Sequence, residues 1–265
     1  MTALLKTVKL TKRFGGIVAN EDIDIEVQAG TFHSIIGPNG AGKTTLFNLL
    51  SGVMAPTSGR IFYRGIDISG WAPHRIAAQG LGRSFQITNI FPHLTVRENV
   101  RLAMQRQSMQ PWNLLRPADA QAGRVERVLE RARLEQRASQ MAVSLPHGDK
   151  RKLELAIILA QEPDCLLLDE PTAGISREEV PAVLEVIQDI RKTAGKTILM
   201  VEHKMDIVMG ISDRITVLDF GRVLAEGTPR EIADNIEVQT AYLGSGIGGA
   251  DAAPGVPGLR GGSHE

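Results

Sequence analysis

A short apolar run at residues 31–36 ends in Gly37-Pro38-Asn39-Gly40-Ala41-Gly42-Lys43-Thr44-Thr45, and the chain turns at once into a helical pattern with Leu46, Leu49 and Leu50 on one side. A buried strand, a Gly-rich turn and a helix in that order leave few folds open. The spacing G-x-x-x-x-G-K-[ST] lets backbone N–H groups wrap a phosphate while the helix N-terminus adds a favourable dipole. Lys43 is expected to reach the β- and γ-phosphates of a nucleotide, and the Thr44 hydroxyl to hold Mg²⁺. Gly52 is placed to end the helix.

A second apolar run, residues 165–168, ends in Asp169-Glu170-Pro171. An apolar strand closing on two carboxylates puts Asp169 at the C-terminal edge of a sheet, where open α/β sheets take their ligands. Asp169 is expected to bind Mg²⁺, and Glu170 to take a proton from an attacking water. The two runs together predict an ATP site.

Elsewhere, short apolar runs alternate with helical patterns, which predicts an α/β fold with a largely parallel sheet. Residues 197–201 form a third buried strand. Residues 4–10 and 23–27 alternate and predict an antiparallel patch near the N-terminus. Residues 215–218 and 223–225 predict a hairpin turning across Phe220-Gly221-Arg222. Between about 86 and 160 strand signals give way to helical ones, with Val125, Val128, Leu129 and Ala132 on one face. From 245 to 265 the chain is Gly-rich and carries Pro254 and Pro257, the composition of a flexible tail.

Composition narrows the function. Lys plus Arg and Asp plus Glu stand at 30 each, so net charge gives no support to a nucleic-acid partner. Cys165 is the sole cysteine and cannot form an internal disulfide, which favours a reducing compartment. No signal peptide is read in the first ten residues, and no window approaches the roughly 18 apolar residues of a membrane span.

The order of these motifs resembles the ATP-binding cassette (ABC) ATPases over about residues 4–243. That resemblance implies a P-loop NTPase core of the RecA-like kind with an inserted helical subdomain at about 87–160, all within one ATPase domain of residues 1–244. It implies that Phe14 stacks on adenine, that Gln86 touches Mg²⁺ and links the site to a membrane partner, and that His203 contacts the γ-phosphate. Leu145-Pro146-His147-Gly148-Asp149 aligns with the family's signature, which contacts ATP held by an opposing subunit. Ala173-Gly174-Ile175-Ser176 aligns with the loop that meets that subunit. Pro146 stands where most relatives have Ser and offers neither a hydroxyl nor an N–H, leaving the Gly148 N–H as the expected donor.

The Leu-Pro-aromatic-Gly-Asp form, together with Arg83-Ser84-Phe85-Gln86, Leu94-Thr95-Val96-Arg97-Glu98-Asn99 and Ala241-Tyr242-Leu243-Gly244, resembles the ATPases of branched-chain amino acid importers. His147 takes the aromatic position. This implies a second ATPase subunit, alike or different, two transmembrane permeases, an extracytoplasmic solute-binding protein acting indirectly, and a peripheral position on the cytoplasmic face of the inner membrane. Residues 87–94 are expected to meet a permease. Two other readings stay open: an ATP-binding regulatory subunit with little turnover, and an ABC ATPase not tied to transport. A P-loop GTPase is disfavoured, since no Asn-Lys-x-Asp occurs.

Overall fold

The computed structural model describes residues 3–84, 90–105 and 119–244. Two sheets and a helical layer share three apolar clusters. The larger sheet has six strands in the order β11-β10-β4-β9-β8-β7. These are β4 (Phe32–Ile36), β7 (Leu81–Arg83), β8 (Cys165–Asp169), β9 (Thr197–Val201), β10 (Arg214–Asp219) and β11 (Arg222–Gly227). All neighbours pair in parallel except β10 with β11, the expected hairpin, whose turn holds Phe220 and Gly221 at positive φ. Strands β4, β8 and β9 are buried at every residue because both faces are covered, one by helices and the other by the N-terminal antiparallel sheet with the helix that follows β4, which is why they read as continuous apolar runs.

The second sheet is antiparallel, with β1 (Ala3–Phe14), β2 (Ile17–Ile23), β3 (Glu26–Gln28), β5 (Ser58–Tyr63) and β6 (Ile66–Asp67). The alternation at 23–27 is present, for Ile23, Ile25 and Val27 all point into the core. Yet the segment is two strand ends, not one strand. The Thr7 hydroxyl donates to the Ile23 carbonyl at 2.8 Å and accepts the Ile25 N–H at 3.0 Å, replacing ladder bonds where the chain changes course.

Helices α1 (Lys43–Leu50) and α2 (Pro73–Ala78) follow β4 and β6. Ser51 and Gly52 close α1 as expected, with Gly52 at φ 72° and its N–H on the Leu49 carbonyl. Then come α3 (Val96–Gln105), α4 (Asp119–Arg131) and α5 (His147–Leu159), followed by α6 (Val180–Ala194), α7 (Met205–Ile211), α8 (Pro229–Ala233) and α9 (Ile236–Gly244). Val125, Leu129 and Ala132 are buried in a cluster with Val96, Val100 and Leu153. Helix α5 belongs to two cores: Leu153 and Ala156 face that cluster, while Leu155, Ile158 and Leu159 face the main sheet. It therefore ties the helical layer to the strands. Gln86, residues 87–89 of the predicted permease-facing segment 87–94, and the Gly-rich stretch from 245 lie outside the described residues.

Candidate nucleotide site

Three adjacent parallel strands deliver the site. Strand β4 opens into the glycine-rich loop, β8 ends at Asp169, and β9 between them leads to Glu202 and His203. At about 4.8 Å per strand spacing, the ends of β4 and β8 lie about 10 Å apart on one edge of the sheet. The loop holding Lys43 and the acidic strand end thus converge, as the sequence predicts.

The loop itself is tightly set. Gly37 is at φ 152° and a Cβ there would sit 2.2 Å from the Leu218 carbonyl oxygen; Gly42, at φ 93°, would strike the Ala19 carbonyl oxygen at 2.3 Å. Only glycine fits either position. The Lys43 ammonium donates to the Gly37 and Pro38 carbonyls at 2.7 and 2.8 Å and is 6% exposed. Burial pushes its pKa down, while the charges of Glu170 and then Asp169 push it back up. Asn39, Gly40 and Thr44 are exposed at the mouth, Ala41 is buried, and Thr45 and Pro38 lie between. Asn20 of β2 donates to the Gly42 carbonyl at 3.2 Å, so the antiparallel sheet supports the loop from the side. At the tip of β1, Phe14 is 44% exposed with the Lys12 ammonium 5.2 Å from its ring centre, an open aromatic face near the loop's supporting sheet.

Asp169 is fully buried. Its Oδ2 accepts from Arg83 at 3.3 Å, its N–H donates to the Ser84 hydroxyl at 3.0 Å, and its Oδ1 has no hydrogen-bond partner. Burial raises its pKa and the Arg83 charge pulls it back. Arg83 also donates to the Phe47 carbonyl, to Asn48 at 2.8 Å and to the Ser51 hydroxyl at 2.6 Å. One guanidinium therefore pins the phosphate-loop helix to the acidic strand.

Next to it Glu170 has φ 47°, and its Oε1 lies 2.8 Å from His203 Nε2. Its backbone is held on both sides: its N–H donates to the Val201 carbonyl and its carbonyl accepts from Arg151 of α5 at 3.0 Å. Glu202 is 3% exposed, accepts the Thr172 hydroxyl at 2.8 Å and takes the His203 N–H at 3.1 Å.

The signature segment lies at the start of α5. Leu145 is buried; Pro146 and His147 are exposed. Pro146 occupies the N-cap position, φ −56° and ψ 159°, where its missing N–H costs the helix nothing, and its carbonyl accepts from Lys150 at 2.9 Å. The Gly148 N–H, expected to serve a phosphate, instead donates to Glu179 Oε1 at 3.0 Å. The same carboxylate takes the Ser176 N–H at 3.3 Å.

Arg83, Ser84, Arg151, Glu179 and Glu202 carry no site role in the sequence reading. A Glu immediately after a five-residue apolar strand is the one signal that could have marked Glu202. The contacts that bring the others to the site span 19 to 86 residues, Arg151 to Glu170, Glu179 to Gly148, and Ser84 and Arg83 to Asp169, and no local pattern announces them.

A strand-delivered phosphate loop facing a buried carboxylate and a Glu–His pair defines a P-loop nucleotide-binding cassette. The ABC transporter family matches residues 20–173, and the C-terminal motif of branched-chain amino acid ATP-binding cassette transporters matches residues 222–247. The chain is 41% identical over 249 residues to the high-affinity branched-chain amino acid transport ATP-binding protein LivG of Salmonella typhimurium, covering 91% of this chain and 98% of that one. Among solved structures it resembles the ADP conformation of MJ1267, an ATP-binding cassette of an ABC transporter, with a TM-score of 0.82, 27% identity, and coverage of 92% and 100%. It also resembles a dimeric post-hydrolysis state of the cassette MJ0796 bound to ADP and Pi, with a TM-score of 0.73, 26% identity, and coverage of 85% and 99%. The chain belongs to the ABC transporter family of transport-coupled ATPases, in the branch of branched-chain amino acid ATP-binding proteins.

Proposed function

We propose that this chain is the ATP-hydrolysing subunit of an importer, powering uptake of branched-chain amino acids or related small polar solutes through partner permeases. The likeness to LivG along nearly its whole length carries the cargo class, and the meeting of Lys43, Asp169 and Glu170 at one sheet edge supports the chemistry.

In this reading the loop from Gly37 to Thr45 wraps the phosphates of ATP, Lys43 neutralises their charge, and Phe14 stacks on adenine. Mg²⁺ fits the residues present, since Asp169 Oδ1 is a buried acceptor with no partner and Thr44 offers an exposed hydroxyl. Asp169, Thr44 and Gln86 would hold it, and it would supply charge stabilisation to the phosphates. Glu170 takes the proton of the attacking water, and His203, hydrogen-bonded to it, orients the carboxylate and reaches toward the γ-phosphate.

Two such subunits close head to tail, the Leu145–Gly148 segment of one over the ATP of the other. The dimeric state of the MJ0796 cassette bound to ADP and Pi supports pairing of two such subunits. Among the described residues no helix is long and apolar enough to cross a membrane, in keeping with a peripheral subunit on the cytoplasmic face. Residues 87–94 are the proposed contact for a permease, and within them Phe91 is 53% exposed. A solute-binding protein outside the membrane would select the cargo.

Deleting the gene should abolish energy-dependent uptake of labelled leucine, isoleucine and valine. The wild-type chain should restore it and Lys43→Ala should not. Restoration by Lys43→Ala, or intact uptake in the deletion, would refute the assignment.

A further inference from the structure

Glu202 is a buried carboxylate that the reaction scheme above does not use. Its two oxygens face two different loops. Oε2 accepts the hydroxyl of Thr172, itself 1% exposed, two residues beyond Glu170. Oε1 accepts the backbone N–H groups of His203 at 3.1 Å and Lys204 at 3.4 Å. A ring closes through these contacts: Glu170 to Thr172 along the chain, Thr172 to Glu202 by a hydrogen bond, Glu202 to His203 along the chain, and His203 Nε2 back to Glu170 Oε1 at 2.8 Å. The strand ends beneath it are already joined by the Glu170 N–H on the Val201 carbonyl.

We propose that Glu202 is a positioning residue for ATP hydrolysis: by fixing the Thr172 loop and the His203 backbone with one buried carboxylate, it sets the imidazole against the base Glu170. Both Glu202 oxygens are engaged by the chain itself, so it acts through His203 and the Thr172 loop. The half of the ring at Thr172 leads directly into Ala173–Ser176, the loop proposed to meet the second subunit. Movement of that loop is therefore delivered to His203 through Glu202. The inference rests on the ATPase reading above and assigns a residue to it.

The test is steady-state ATPase kinetics of the full chain. Glu202→Ala should lower kcat roughly 10- to 100-fold, the scale of a misplaced catalytic group, with KM for ATP held within about twofold. Glu202→Gln should stay within about threefold of wild type, because its amide can donate to Thr172 while its oxygen keeps the His203 N–H. Thr172→Val, nearly isosteric, should lower kcat roughly five- to tenfold and guards against a Glu202→Ala chain that fails to fold. In a His203→Ala background, adding Glu202→Ala should cost less than about twofold, since the group it positions is gone. An equal loss in both backgrounds, or a lowered Tm with kcat per folded molecule unchanged, would overturn the proposal while leaving the ATPase reading intact. Absence of turnover in the wild-type chain would overturn both.

Discussion

The two faces expected to enclose ATP are built differently. The phosphate-loop face stands on the ends of β4, β8 and β9, three neighbouring strands buried at every residue. Its groups are braced by the chain's own hydrogen bonds: Lys43 by two carbonyls, Asp169 by Arg83 and Ser84, Glu170 by His203. The signature face stands on the first turn of α5, with Pro146 and His147 exposed and the Gly148 N–H engaged by the chain's own Glu179. Among the described residues the first face has its groups braced by the chain itself. In the proposed closure the second would exchange the Glu179 carboxylate for a phosphate at the Gly148 N–H when two subunits pair over ATP.

The largest effect belongs to the sheet-built face. Glu170→Gln should cut turnover by about 10²–10⁴-fold, the range for a general base, while ATP binding persists. Single-turnover hydrolysis and equilibrium nucleotide binding on the same sample check it; undiminished turnover would remove Glu170 from the mechanism. Next is Arg83→Met. It strands the buried Asp169 carboxylate and frees α1 from β8, which should cost about 3 kcal/mol, at the low end for breaking a buried ion pair. Thermal melts should show Tm lower by roughly 5–10 °C. Mg²⁺ with ATP should recover more of that loss in the variant than in wild type. A Tm within a degree of wild type would show that the pin is dispensable and that the sheet-built face is no more rigid than the other.

Beneath the phosphate loop, His33 of β4 is 1% exposed, with Nε2 2.7 Å from the Thr216 hydroxyl. Burial first and the Arg214 charge second push its pKa down to about 4. Below about pH 6.5 the unfolded chain binds a proton that the folded chain refuses. This contribution to stability is therefore full above pH 6.5 and declines as pH falls toward 4, by up to about 3 kcal/mol. Urea melts between pH 7 and pH 4.5 should lose stability along that course, and His33→Gln should flatten it. An unchanged slope in His33→Gln would place the acid sensitivity elsewhere.

The same contrast decides what could be read in advance. Residues 31–44 announce themselves because strand, turn and helix are contiguous, and residues 165–170 because an apolar strand runs straight into two carboxylates, so local pattern and site coincide. The ends of α1, the buried strands and the β10–β11 turn follow from the same local rules. Arg83 escapes because its strand β7 is three residues long and its partners lie 32 to 86 residues away. The split between β2 and β3 escapes because a distant Thr7 hydroxyl causes it. The engagement of Gly148 by Glu179 escapes for a different reason: a helix N-terminus attracts any anion, and sequence cannot say whether a ligand or the chain itself supplies it.

That last contact yields the smallest expected effect and the sharpest one for the comparison. If the Gly148 N–H serves a phosphate as proposed, the Glu179 carboxylate and that phosphate compete for one N–H at a helix N-terminus, where each anion gains from the same dipole. With the catalytic Glu170→Gln change present to trap ATP, subunit pairing can be titrated by light scattering. Glu179→Ala should shift the ATP midpoint for pairing downward by roughly two- to fivefold, the scale of one helix-terminal charge interaction. Glu179→Gln, which keeps an acceptor but loses the charge, should fall between. Should the Ala variant pair only at higher ATP, the carboxylate is a brace that preforms the signature rather than an occupant of its site. The two faces would then be alike in being set before ligand arrives.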